Sequence, residues 1–125
     1  MRIFKNRSFA RFARKEAIED EQLEEAVNLL ETGQADANLG GNVYKIRMAR
    51  PGQGKSGGYR VIVVFRSKQN TFYMHGFAKS EKDNISLKEL TNLKKQANSL
   101  LSLSDDQISY ALKLGEFEEI PGGKS

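Results

Sequence analysis

An α+β fold, with one antiparallel sheet, a helical hairpin ahead of it and more helices behind, is predicted by three features of the sequence. Between Val43 and Lys79 three strand-like runs follow one another without a helical pattern between them. Before them, apolar residues recur at i, i+3 and i+4 in two successive stretches. After them the same helical period returns twice. With 125 residues the chain fits one domain, expected over residues 1–120 with a disordered tail at 121–125.

Taken in order, Arg2 to Lys5 is a short strand candidate, and Asn6 or Ser8 can cap the helix that follows. There Phe9, Phe12 and Ala13 share one side and Arg11, Arg14 and Lys15 the other, to about Ala17. Asp20 opens a second helix carrying Leu23, Ala26, Val27 and Leu30. Asp20, Glu21, Glu24 and Glu25 crowd its positive end, and Gly33 suits its C-terminus. The short connection predicts an antiparallel hairpin.

Gln34 to Gly41 reads as a loop. Val43 to Ala49 alternates, with Tyr44, Ile46 and Met48 on one face and Val43, Lys45 and Arg47 on the other. Tyr59 to Arg66 is almost continuously apolar, as expected of a strand covered on both faces. Lys68 to Asn70 is a turn, and Thr71 to Lys79 a strand whose alternation groups Tyr73, His75, Phe77 and Lys79. Asn84 or Ser86 caps a helix running to about Leu103, and Ser104 caps another that ends at Gly115. Phe117 to Ile120 reads as a short tail.

The charge is unevenly spread. Residues 41–82 hold nine lysines and arginines against one acid, a net +8, while the segments on either side are each −2 and the whole chain is +4. A basic strip between acidic helices points to a polyanion, nucleic acid first. There is no cysteine, which excludes thiolate catalysis and zinc–thiolate sites and fits a reducing compartment. The longest apolar run, Val61 to Phe65, is far too short to span a membrane, and the N-terminus lacks the apolar segment of a secretory signal. The expectation is a soluble cytoplasmic domain.

Gln53-Gly54-Lys55-Ser56 invites a phosphate-loop reading, but Ala49 stands where that motif needs glycine, and a strand follows where it needs a helix. The acids fall on helices as caps and solvated faces, and one histidine, His75, cannot build a His-rich site. No catalytic metal and no cofactor are therefore expected. What remains is a set of cations: Lys45 and Arg47 at i, i+2 on one strand, Arg60 at the start of the next, Lys79 at the end of the third. If Tyr44, Ile46 and Met48 pack under the helices, the cations converge on the opposite, uncovered side of the sheet. Singly each is an ordinary solubilising residue. Together, beside a single acid, they suit a phosphate-binding surface.

These residues resemble the RelE/HigB-type toxins of bacterial type II toxin–antitoxin systems. The shared pieces are the order strand, hairpin, three strands; Val43-Tyr44-Lys45-Ile46-Arg47; Gly58-Tyr59-Arg60; and Gly76-Phe77-Ala78-Lys79. Lys5-Asn6, Phe12-Ala13, Leu39-Gly40-Gly41 and the loop from Arg50 to Arg60 are similar to a HigB-like branch. The resemblance covers roughly residues 1–100. It implies a RelE-like β-α-α-β-β-β fold and a ribosome-dependent mRNA endonuclease that inhibits translation. Its chemistry would be metal-independent transesterification by the RNA's own 2′-hydroxyl. A cognate antitoxin, of helix-turn-helix type, would silence it, and its partners would be the ribosome and mRNA, with no membrane and no small-molecule cofactor.

By position, the resemblance implies Lys45 and Arg47 at the phosphate, Arg60 as transition-state clamp and Lys79 as acid or phosphate contact, with Lys55, Tyr59, His75 and Lys82 in RNA binding. A lysine crowded by cations can lose its proton readily enough to act as base. Many such toxins carry a tyrosine or histidine just after the fourth strand, where this chain reads Ser80 to Asn84. His75, Tyr73, Tyr59 or a lysine would have to carry the proton instead. The helices after Ser86 would cover the sheet or form the antitoxin's groove. Two other functions compete: a ParE-like, non-enzymatic poison of DNA gyrase, and a nucleic-acid-binding module without catalysis.

Overall fold

In the computed structural model, residues 1–49, 58–78 and 85–121 are described. Strand β1 (Ile3–Asn6) runs into helix α1 (Arg7–Glu16), and α2 (Asp20–Glu31) completes the hairpin. Strands β2 (Ala37–Gly40), β3 (Val43–Met48), β4 (Tyr59–Val64) and β5 (Thr71–Ala78) follow, then α3 (Leu87–Leu101), α4 (Asp105–Lys113) and β6 (Phe117–Glu119). The six strands form one sheet in the order β2-β3-β4-β5-β1-β6, antiparallel at every contact except β1 with β5.

The helix ends follow local chemistry. Asn6 accepts the Phe9 N–H and starts α1, and Ala17 stops it in the left-handed conformation (φ 56°). Ser86 with Glu89, and Ser104 with Gln107, form reciprocal capping boxes at the starts of α3 and α4. Two segments differ from expectation. Residues 37–40, read as loop, pair with β3 as an edge strand, and residues 117–119, read as tail, pair antiparallel with β1. Both are too short and too polar to show a strand period; their partners decide them. The expected tail beyond residue 121 lies outside the described residues.

Alternation divides the core in two. On one side of the sheet the hairpin residues Phe9, Ala13, Leu23, Val27 and Leu30 pack on Ile46, Met48, Tyr59, Val61, Val63 and Tyr73. On the other, Ala97 and Ile108, with the leucines of α3 and α4, pack on Phe4, Val43, Ile62, Val64, Phe72 and Phe77. Strand β4 is buried along its whole length because both faces are covered. The second face is therefore not the open surface expected from the sequence. The helices after Ser86 roof one part of it, and the cations occupy the rest.

Strand β6 is held by ion pairs. The Arg2 guanidinium meets both carboxylate oxygens of Glu119 at 2.9 Å, and Arg14 Nη1 lies 2.9 Å from Glu118. The hydrogen bond from Arg2 holds the Glu119 carboxyl below its ordinary range. A depressed carboxylate stabilises the fold above its unfolded pKa and loses that contribution as pH falls through its folded value. The protection factor for amide exchange at Ile120, whose N–H bonds the Ile3 carbonyl, should thus fall in acid beyond the intrinsic pH dependence, by the equivalent of no more than about 1 kcal/mol for so exposed a pair. Arg2→Ala should erase that acid dependence; exchange that keeps it in the variant refutes the assignment.

Candidate functional site

The register of β3, β4 and β5 builds the site. Arg47 stands directly opposite Arg60, and Arg60 directly opposite Phe77. Two residues along, Lys45 stands opposite Ile62, and Ile62 opposite His75. All six belong to the face of α3 and α4. With neighbouring strands about 4.8 Å apart, Lys45, Arg47, Arg60 and His75 come from three adjacent strands within a patch roughly 10 Å across.

Their surroundings differ. Arg47 is exposed, Lys45 half-buried, and Arg60 buried at 5 % exposure, with Nη1 donating to the Tyr59 carbonyl at 3.3 Å. A guanidinium is the cation that tolerates such burial, being weakly hydrated and rich in fixed donors. Two arginines directly opposite one another repel. A carboxylate absent from the predicted set offsets part of this: Asp36, ahead of β2, accepts the Arg47 backbone N–H and lies 3.7 Å from its Nε. Asp36 escaped sequence reading because the edge strand that delivers it read as loop.

A β-bulge decides where His75 points. Ile62 pairs with His75 and Val63 with Tyr73, leaving Met74 as an extra residue on β5. The parity of the strand therefore changes at Met74. Tyr73 faces the hairpin, stacked on Phe9 (centroids 5.1 Å), and its hydroxyl donates to the Leu23 carbonyl at 2.6 Å. His75 and Phe77 face α3, with rings 5.7 Å apart. The expected common face of Tyr73, His75 and Phe77 is thus corrected: simple alternation holds only on each side of the bulge. Burial pushes the Tyr73 hydroxyl far above its ordinary range, so it keeps its proton at neutral pH.

Tyr59 is likewise corrected as a member of this patch. It is 2 % exposed on the hairpin side, edge-on to Phe12, with its hydroxyl donating to Glu16 Oε1 at 2.8 Å. Its neighbour Arg60 reaches the other face by alternation alone. Lys55, Lys79 and Lys82, also expected at the site, lie outside the described residues. On the site face, α3 contributes Glu89. Its Oε1 accepts the Ser86 N–H at 2.9 Å, and its Oε2 lies 3.9 Å from His75 Nε2. The Ser-x-x-Glu spacing of that cap is legible in the sequence, whereas its meeting with a strand histidine is not.

A cavity of about 150 Å³ between α2 and β3 is lined by Gln22, Glu25, Ala26, Leu29, Ile46 and Met48, and also by Arg47 and Ala49. Among the described residues no group of three or more acids and histidines could hold a metal ion, and no helix is long and apolar enough to cross a membrane. The arrangement can bind an anion by clustered cations, two of them forked guanidinium groups suited to phosphate oxygens.

No curated protein matches the chain. A family model described as the RelE toxin of the RelE/RelB toxin–antitoxin system matches residues 1–120, and the α+β architecture agrees with a RelE-like fold. That match implies an antitoxin as partner. With nearly the whole length matched, the chain belongs to the RelE toxin family.

Proposed function

We propose that this toxin is a metal-independent endoribonuclease that cuts mRNA on the ribosome, in the cytoplasm, and is silenced by a helix-turn-helix antitoxin. The observation that carries this reading is the direct opposition of Arg47 and Arg60 with Lys45 beside them on one face. A phosphate held between them would meet two forked guanidinium groups, each able to bind a pair of its oxygens. A poison of gyrase acting through protein contacts has no use for such a pair, and a passive RNA-binding surface has no need to bury one of its arginines.

In the proposed reaction the RNA supplies its own nucleophile. Lys45 takes the proton of the 2′-hydroxyl, and Arg47 and Arg60 hold the non-bridging oxygens as charge builds on phosphorus. Lys55, Lys79 and Lys82 complete the contacts to the RNA. Primer extension on ribosome-bound mRNA, run beside a gyrase supercoiling assay, tests the reading. Discrete cleavage sites with supercoiling unaffected are expected. Inhibited supercoiling with intact mRNA would replace this function by gyrase poisoning, and salt-sensitive RNA binding without cleavage would leave only a binding module.

A further inference from the structure

We propose that Asp36 is the positioning residue for Arg47, gripping it by its backbone and by its guanidinium so that the forked end is presented to the RNA phosphate; this rests on the nuclease reading above. Asp36 comes from outside the cation set. It ends the connection 32–36 that leaves α2, one position ahead of β2, and reaches Arg47 at the edge of the sheet.

The ladder explains the contact. An antiparallel strand turns its backbone groups to its two neighbours in alternation. The Asn42 carbonyl accepts the Phe65 N–H, on the β4 side, so Lys45 and Arg47, at odd positions, turn theirs toward β2. At Lys45 the facing residue is Ala37. The same register would set Ala35 opposite Arg47, but β2 begins only at Ala37. There the Asp36 carboxylate takes the place of a backbone carbonyl, and its Oδ2 accepts the Arg47 N–H. One consequence reaches the site. Arg47 and Arg60 exchange no backbone hydrogen bonds, and such pairs are the closer kind, with Cα atoms about 4.5 Å apart.

The second carboxylate oxygen acts on the head of the same residue. Oδ1 lies 3.7 Å from Arg47 Nε, the inner nitrogen of the guanidinium. A carboxylate approaching there leaves the donors at the outer end of the fork for a phosphate. Arg47 has a side chain 52 % exposed, so its long stem would otherwise sample many rotamers, and ordering it would fall to the reaction itself. An ion pair this open to solvent adds little to stability. Its effect is on orientation. The same negative charge also repels an incoming phosphate, so the two consequences of removing it have opposite signs.

That opposition supplies the test: single-turnover cleavage of ribosome-bound mRNA by the full chain, titrated to saturation, with Asp36→Asn, Arg47→Ala and the two combined. Asparagine keeps an oxygen for the Arg47 N–H while removing the charge, so Tm should stay that of the parent. The saturating rate should fall about tenfold, while half-saturation should come at the same or a lower concentration, the chain having become more basic. In the Arg47→Ala background Asp36→Asn should cost nothing further, because Asp36 acts through Arg47. In the free chain the nitrogen–proton NOE of the Arg47 Nε group, recognised by its absence from Arg47→Ala, should drop in Asp36→Asn. A saturating rate at or above the parent's with tighter binding would make Asp36 a competitor of the phosphate and overturn the positioning role. A further loss in the Arg47→Ala background, or an unchanged NOE, overturns it too. Any of these results in a chain that cleaves removes this proposal alone; intact mRNA with the parent chain removes the nuclease reading, and this proposal with it.

Discussion

Arg60→Ala is expected to lower single-turnover mRNA cleavage by about 100- to 1000-fold, the size of effect seen when a preorganised donor to a transition-state oxyanion is deleted. The position makes the argument. Arg60 is the central residue of the row Arg47–Arg60–Phe77, and its burial lowers the local dielectric in which it meets phosphate. Burial also complicates the alanine variant, which leaves a hole in the sheet, so Arg60→Lys is the companion. Lysine keeps the charge and most of the packing but loses the forked donors. It should fold like the parent chain and still cleave at least about tenfold more slowly, one bidentate contact being lost. Parent-like cleavage by Arg60→Ala combined with Lys45→Ala would remove the site from this face altogether.

The largest stability effect should come from Gly76→Ala. A Cβ at residue 76 would stand 2.4 Å from two ring carbons of Phe12, a distance that no side chain tolerates. The ring has little room to retreat, lying between Phe9 (6.0 Å) and the edge-on Tyr59 (5.6 Å). Overpacking of this kind costs about 1–3 kcal/mol, so Tm should drop by roughly 5–15 °C. The same change made in a Phe12→Leu background should cost less, because the clash has been removed in advance. Equal melting temperatures for the parent and Gly76→Ala would refute the close packing of α1 on β5.

Periodicity settled much of this protein before any coordinate. The hairpin faces, the alternation that sets Tyr44, Ile46 and Met48 against Lys45 and Arg47, and the doubly covered β4 are local properties of residue order, and the structure has each of them. The helix start at Ser104 was equally legible, and Asn6 and Ser86 were each one of two candidate caps, since a cap is made by side chains within three residues of the backbone it serves.

Pairing between distant segments was another matter. Strands β2 and β6 exist only because β3 and β1 offer them open edges, and Asp36 meets Arg47 for the same reason. The bulge at Met74 belongs to the same class: one inserted residue inverts the parity of a strand, and nothing within β5 announces it, because the register is a property of two strands together. The sequence by itself determined which residues are cationic and which strands carry them. Only the tertiary structure decided that His75 and Glu89 join Arg60, while Tyr59 and Tyr73 turn away, because that choice depends on contacts between residues far apart in the chain.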